Sequence, residues 1–158
     1  MKRFVLYLFS SAFFITSCND HLKIEKNNDP QGYADSQFIG AWKITAVSSD
    51  VAYDWNNDGI TERDIYSTWS SCERDNLFTF TGDTAIGGYK KGTFKINCSV
   101  TKTGLWQIAN TKDLVYIPLG LGPESERVIG MTSVQFQSIL LLTLNGQPAT
   151  ITKTWTRQ

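Results

Sequence analysis

The chain has 158 residues, and its 15 basic and 15 acidic side chains give a formal charge of zero at neutral pH. This length allows one domain with a real core and no more. The balanced charge, with no basic stripe along the sequence, excludes the electrostatic footprint of a nucleic-acid-binding protein.

The first residues predict export. Lys2 and Arg3 give a positive start, and residues 4–16 form an apolar run without a charge. This run is shorter than the roughly 20 residues that a membrane-spanning helix needs. A charged start, a short apolar stretch and small residues at its end are the layout of a secretory signal peptide.

The export segment ends at Ile15-Thr16-Ser17-Cys18. This end resembles the bacterial lipobox, which has an aliphatic residue, two small residues and a cysteine. In such precursors the thiol receives a diacylglycerol, and cleavage leaves the cysteine as the first residue. The resemblance implies a signal peptide at residues 1–17 and a lipid anchor on Cys18; the alternative is an ordinary secretory signal with a chance cysteine. We expect the anchor to hold the protein at the outer membrane, on its periplasmic or surface face.

Residues 18–37 are predicted to be the lipidated cysteine and a flexible tether, because they are polar and have no usable hydrophobic period. Removal of the signal peptide takes Lys2 and Arg3 with it and leaves 13 basic and 15 acidic residues. The folded domain is expected at residues 38–158, as a monomer.

The domain is predicted to consist of strands. Runs rich in threonine, valine, isoleucine and aromatic residues recur at short spacing, separated by glycine, asparagine and aspartate. Asn145-Gly146 predicts a hairpin, because both residues accept the positive φ of a type I′ turn. Ile65 and Trp69, one turn apart, predict a short helix within residues 61–71. The expected strands are residues 39–47, 77–81, 93–97, 105–108, 114–117, 126–132, 138–144 and 149–157.

The predicted fold class is all-β. In the last strand, threonines alternate with a face that includes Ile151, Lys153 and Trp155, as a half-buried antiparallel strand requires. About eight such strands lose their exposed edges by closing into an up-and-down barrel. A two-sheet sandwich has the same local signature and stays open as an alternative.

Several segments of this domain resemble those of a known protein family. Gly40-Ala41-Trp42 resembles the Gly-x-Trp that opens the first strand of lipocalins. In that family the tryptophan closes the barrel floor, and an arginine near the chain's end stacks over it in a cation–π contact. The resemblance implies that Arg157 is this partner. Residues 54–59 and 71–80 are similar to segments of bacterial lipocalin-like lipoproteins.

With Cys18 lipidated, Cys72 and Cys98 remain as an even pair. An exported domain lies in oxidising surroundings, where such a pair normally forms a disulfide. Closing this loop would stabilise the fold by about 3.5 kcal/mol in the chain-entropy model. A metal site is the alternative, but two thiols without nearby histidines make a poor zinc site.

The barrel interior is the first candidate binding site. Eight strands leave room either for the barrel's own side chains or for one small ligand. Trp106, Tyr116 and Lys153 are the candidate ligand-binding residues, and the alternative for the aromatic ones is plain core. A lysine that points inward needs a carboxylate partner or an anionic ligand, unless it reaches water at a rim.

A calcium loop is the second candidate. Oxygen-bearing side chains at alternate positions followed by Gly59 suit a hard cation, because the glycine lets the backbone wrap around it. The closing carboxylate is missing from its usual place, so Asp64 or Glu62 would have to supply it. The alternative is a polar turn. The candidate calcium ligands are Asp54, Asn56, Asp58 and Asp64.

Catalysis finds little support, because the only histidine is His21 in the tether and a histidine base is therefore missing from the domain. Glu124 and Glu126 are expected in a solvated loop. We therefore expect a non-enzymatic, lipid-anchored, lipocalin-like protein that binds a small apolar or amphipathic molecule at the cell envelope. The alternative is an interaction module with a solid barrel, whose loops bind another envelope protein or a glycan.

Overall fold

The computed structural model describes residues 32–110 and 112–158; the predicted signal peptide, Cys18 and most of the tether lie outside these ranges. One turn of helix, α1 (Asp35–Phe38), leads into strand β1 (Gly40–Tyr53). The long connection after β1 contains one strand and two one-turn helices: β2 (Glu62–Asp64), α2 (Ile65–Thr68) and α3 (Ser71–Arg74). Seven further strands follow, with a 3-10 turn (Ile86–Gly88) after the first: β3 (Leu77–Thr84), β4 (Lys90–Lys95), β5 (Lys102–Ala109), β6 (Asp113–Pro118), β7 (Glu124–Met131), β8 (Gln135–Leu144) and β9 (Gln147–Arg157).

Eight of the strands form a closed antiparallel barrel. Strands β3 to β9 pair in chain order, and β1 pairs with both β3 and β9. The short strand β2 is added to the far end of β1, where Tyr53 lies opposite Glu62. Closure pairs the edges that an open sheet would expose. The predicted barrel is therefore confirmed, and the sandwich alternative is excluded.

The observed strands are longer than the predicted runs. Strand β1 continues past residue 47 to Tyr53, and β8 begins at Gln135 instead of residue 138. Backbone pairing with a neighbouring strand supports these extensions where the side chains are polar. The predicted hairpin is present: Asn145 and Gly146 join β8 to β9 with φ values of 49° and 78°.

The short helix predicted within residues 61–71 is confirmed as α2, which is only one turn long. The side chain of Asp64 accepts a hydrogen bond from the backbone N–H of Ser67 at 3.2 Å, so α2 begins only at Ile65. The extended backbone of Trp69 (φ −69°, ψ 136°) ends that helix. Ser70 then caps α3. Two local N-caps thus divide the segment into two short helices.

The core is built from aromatic side chains that point into the barrel. Phe78 contacts Trp155 with ring centroids 4.8 Å apart, and Phe136 stacks on Trp155 at 5.2 Å. Phe38 of α1 packs against Phe136 and Trp106 from the end of the barrel where β1 begins, which we call the floor. Fully burying one such side chain contributes roughly 1.5–3 kcal/mol. The largest fully buried hydrophobic side chains are Phe38, Trp42, Phe80, Phe94, Trp106, Leu114, Phe136 and Trp155.

Residues before the predicted domain boundary at residue 38 also pack against the barrel. Tyr33 packs edge-on against Phe38, with ring centroids 6.1 Å apart. Asp35 accepts a hydrogen bond from the backbone N–H of Ile108 at 3.2 Å and pairs with Lys90 at 3.0 Å. The last residues of the predicted tether thus hold α1 against the floor.

The predicted disulfide is confirmed. Cys72 and Cys98 are bonded, with their Cα atoms 4.8 Å apart. The bond ties α3 to the connection between β4 and β5, at the barrel end opposite the floor. It therefore holds the long β1–β3 connection against this end of the barrel.

Candidate functional site

The floor brings together Gly40, Trp42 and Arg157, the three residues to which the lipocalin resemblance gave a role. The guanidinium carbon of Arg157 lies 4.3 Å from the ring centroid of Trp42. Its two terminal nitrogens donate to the carbonyl oxygens of Ile39 and Gln37 at 2.6 and 2.9 Å. Gly40 has a φ of +138°, and a Cβ there would overlap a terminal nitrogen of Arg157. The arginine thus closes this end of the barrel.

Strand β7 contributes a buried carboxylate that the sequence analysis misplaced. Glu124 and Glu126 lie in β7 and not in a solvated loop, and Glu126 is only 1% exposed. An inward position on the strand carries its side chain into the barrel. One carboxylate oxygen accepts hydrogen bonds from Tyr116 Oη at 2.9 Å and from Lys153 Nζ. The other accepts from Ser138 Oγ at 2.5 Å.

This cluster explains the inward lysine. Lys153 finds a carboxylate partner, Glu126, inside the barrel. Trp155 Nε1 donates to Ser138 Oγ at 2.8 Å and extends the network. Burial, together with the negative charge of Glu126, holds the pKa of Tyr116 well above its ordinary value. Tyr116 therefore stays protonated and donates its hydrogen bond across the physiological pH range.

Trp106 and Tyr116 lie among packed rings. Trp106 is fully buried, and its Nε1 donates to the carbonyl oxygens of Thr81 and Lys91 at 3.1 and 2.9 Å. Its ring centroid is 4.9 Å from that of Phe80, and the Tyr116 ring stacks on Phe94 at 6.1 Å. The three candidate ligand-binding residues therefore contact other side chains of the core, and ligand binding by them stays a prediction.

The acidic loop after β1 is closed by its own backbone. Asp54 accepts hydrogen bonds from the N–H groups of Asp58 and Gly59 at 3.0 and 2.9 Å. Asp58 accepts from the N–H of Ile60 at 2.8 Å. Asp64 is turned away to cap α2. Within residues 32–110 and 112–158, no group of three or more acidic, histidine or cysteine side chains is arranged to hold a metal ion.

Glu62, instead of Asp64, faces this loop. Its Oε1 is buried and has no hydrogen-bond partner within the described part of the chain. Burial, followed by the negative charges of Asp58 and Asp54, raises the pKa of its carboxyl. Calcium binding at this loop stays a prediction.

An apolar recess lies outside the barrel, on the outer wall of β4, β5 and β6. This outer groove has a volume of about 470 Å³. The connection between β6 and β7 borders it with Leu119 and Leu121, which are 69% and 51% exposed. The lining residues are Ala85, Lys91, Thr103, Gly104, Leu105, Ile117, Pro118, Leu119, Gly120 and Leu121.

Local geometry explains the groove. Leu105 and Ile117 lie directly opposite each other on β5 and β6. A Cβ at Gly104 would overlap the carbonyl oxygen of Ile117, so glycine lets the two strands approach here. The N–H of Leu119 donates to the carbonyl oxygen of Thr103 at 2.9 Å and holds the connection against β5. Gly120, with a φ of +81°, makes the turn that follows.

Sequence reasoning missed this groove. The sequence signal for the groove was a break in the alternation of apolar and polar residues. Leu105 and Ile117 are apolar at outward positions, where a strand with one buried face normally carries polar residues. Leu119 and Leu121 repeat the signal in a loop. The residues come from three strands and a connection, so no single segment reveals the recess.

Two further pockets are more polar. One, beside the disulfide, contains Lys43, Arg74 and Asp75. Lys95 and then Lys43 hold the pKa of Asp75 below its ordinary value. The other lies at the floor beside Arg157. Neither has the apolar lining of the outer groove.

No protein-family model matches the chain, and no curated protein matches it. Among solved structures, the chain is similar to lipocalin 12 from rat epididymis, determined by solution NMR. The two share 12% identity over 80% of this chain and 69% of that chain, with a TM-score of 0.46. The barrel assignment rests on the strand pairing of the chain itself. None of the helices in the described ranges has the length and apolar character to cross a membrane.

Proposed function

We propose that this protein is a lipid-anchored, non-enzymatic barrel of the cell envelope that binds a small apolar or amphipathic molecule in the outer groove. The observation that carries the proposal is the apolar recess between Leu105, Ile117, Leu119 and Leu121. Its volume of about 470 Å³ falls within the range of roughly 300–1,000 Å³ that is usual for small-molecule sites.

The filled interior supports the same choice of site. Trp42, Trp106 and Trp155 are fully buried there, and Ser138 links Trp155 to the ion pair of Glu126 and Lys153. A ligand would have to displace these side chains, whereas the outer groove is already open to solvent. The lipocalin-like barrel would thus serve as a rigid support for a site on its wall.

The anchor is supported by the lipobox-like sequence that ends at Cys18. From Cys18 to Gly32, a stretched chain reaches about 45 Å. A barrel on such a tether stays close to the membrane, which is the natural source of apolar molecules. We place the protein at the outer membrane, facing the periplasm or the cell surface.

The absence of a catalytic role is supported by burial of the reactive groups. Ser138 and Glu126 are both inside the barrel, at 0% and 1% exposure. A substrate in water does not reach either side chain. We therefore assign the Glu126 cluster to the stability of the barrel.

Binding of a neutral fluorescent probe, N-phenyl-1-naphthylamine, tests the groove. The full chain carrying Cys18→Ser is used, so that no attached lipid competes. We expect Leu119→Ser with Leu121→Ser to weaken binding about tenfold, because the probe loses two apolar contacts. Leu141→Ser is the matched control, since this leucine is 72% exposed on β8, outside the groove. Equal loss in the control, or no loss in the double variant, would contradict the proposal.

The second candidate function is an interaction module whose loops bind an envelope protein or a glycan. The filled interior also favours it, as does the rigid loop after β1: Trp55 Nε1 donates to the carbonyl oxygen of Glu62 at 3.0 Å, and Tyr53 packs on the Trp55 ring at 5.2 Å. The probe experiment separates the two functions, because a module of this kind has no reason to bind the probe in the outer groove.

A further inference from the structure

The polar side chains of the outer groove indicate the chemical class of its ligand. Resting on the proposed function, we infer that the groove takes a single-chain amphiphile with an anionic head group. Its tail lies on Leu105, Ile117 and the two leucines of the β6–β7 connection. Its head group contacts the ammonium of Lys91 and the hydroxyl of Thr103.

Lys91 differs from most of the lysines in the barrel. Lys43, Lys90, Lys95 and Lys153 each lie within 4.0 Å of a carboxylate, whereas Lys91 and Lys102 have no such partner within residues 32–110 and 112–158. The four ion pairs are Lys43–Asp75, Lys90–Asp35, Lys95–Asp75 and Lys153–Glu126.

Lys91 lines the recess, whereas Lys102 is not one of its lining residues. Lys91 lies directly opposite Leu105 across the β4–β5 pairing, so its side chain leaves the wall beside the apolar lining. Lys102 Nζ is 3.9 Å from the position that a Cβ of Gly120 would take, at the connection bordering the groove. The lining contains no acidic residue. The lining therefore carries one positive charge, at Lys91, and no negative charge, so that it favours an anion over a cation.

Thr103 supplies the second polar group. Its hydroxyl has no hydrogen-bond partner within the described chain and borders the groove beside Leu105. Lys91 and Thr103 are the polar side chains of the lining. A carboxylate, sulfate or phosphate head group would accept from both of them, whereas a neutral head group would leave the ammonium of Lys91 uncompensated.

Isothermal titration of the full chain carrying Cys18→Ser with decanoate and with decanol, both as free monomers, tests this inference. The two molecules share the tail and differ in the charge of the head group. We expect decanoate to bind about three- to fivefold more tightly at low salt, which is the size expected of one exposed ion pair. This preference should fade in 0.5 M sodium chloride, because salt screens exposed charges.

Substitutions at Lys91 locate the effect. Lys91→Gln should remove the preference by weakening decanoate binding alone, and Lys91→Arg should keep it. Arg63→Gln is the control, because it removes one exposed positive charge from β2, outside the groove.

The outcomes distinguish a failure of the anionic head group from a failure of the proposed function. Equal binding of decanoate and decanol, with both weakened by the double leucine variant, would overturn the anionic head group and leave the proposed function standing. No binding of either molecule in the groove would overturn both. Binding to anionic phosphatidylglycerol vesicles without binding of free decanoate would overturn the small-amphiphile inference in favour of a membrane surface.

Discussion

At the scale of single residues, Glu126 has the most consequential position in the barrel. Its two oxygens accept from Tyr116, Ser138 and Lys153, so the carboxylate satisfies three polar groups at once. A buried charge without a partner is costly, and here each charge has one. The cluster therefore makes a lysine tolerable on the inner face of β9.

Glu126→Gln should destabilise the protein by about 3 kcal/mol, because it leaves the largely buried ammonium of Lys153 without a counter-charge. Glu124→Gln, at the exposed start of the same strand, should change the free energy of unfolding by less than about 0.5 kcal/mol. Urea unfolding at pH 7 measures both. A loss as small in Glu126→Gln as in Glu124→Gln would show that the ion pair contributes nothing. Glu126→Leu combined with Lys153→Met should recover only the part of the loss that comes from the unpaired ammonium, because Tyr116 and Ser138 still lack their acceptor.

Some single residues could be assigned from the sequence and others could not. Gly40, Trp42 and Arg157 were found through a family resemblance, and the structure brings them into contact. Lys153 was recognised as an inward lysine in need of a partner. Glu126 was not recognised as its partner, because only the pairing of β7 and β9 with β8 brings the two residues together.

At the scale of elements, the connection between β1 and β3 combines turn and cap chemistry. Asp54 and Asp58 fold the loop around their own backbone N–H groups, while Asp64 and Ser70 begin the two short helices. In the sequence, these capping and turn residues were visible only as clusters of polar residues. Which side-chain oxygen accepts a hydrogen bond from which N–H group depends on the three-dimensional path of the loop, and a periodic sequence pattern does not reveal that path.

Glu62 makes this connection sensitive to pH. Its pKa is raised in the folded protein, so the folded state binds a proton more readily than the unfolded state does. The contribution of Glu62 to stability should be highest below the ordinary glutamate pKa and should fall as the pH rises through the raised value. Glu62→Gln should therefore raise the melting temperature at pH 7.5 and flatten its dependence on pH between about 4 and 7. Thermal unfolding over this pH range checks the prediction, with Glu124→Gln as the control. A lower melting temperature for Glu62→Gln at pH 7.5 would contradict it.

At the scale of the whole molecule, strand pattern was the most predictable feature. Residues such as Phe78 and Phe80 alternate with threonines and face the core as expected, and Asn145-Gly146 forms the expected turn. Closure of the sheet depends on β1 pairing with both β3 and β9, and no local signal specifies that. The same limit applies to the groove, which exists only when three strands and a connection are brought together.

The filled interior changes where a ligand is sought. Aromatic side chains and one polar cluster occupy the space that an eight-stranded barrel can also use for a small molecule. The outer wall carries the apolar recess, and Lys91 is part of its lining. The proposed function therefore depends on the location of ligand binding more than on the fold.

A crystal structure of the full chain carrying Cys18→Ser, grown with 10-bromodecanoate, tests that location most directly. The anomalous signal of bromine reports the end of the tail without any assumption about the pose. We predict a peak in the outer groove between Leu105 and Leu121, with the carboxylate near Lys91. A peak inside the barrel, with Lys153 released from Glu126 and paired with the ligand, would contradict the account and return the site to the interior.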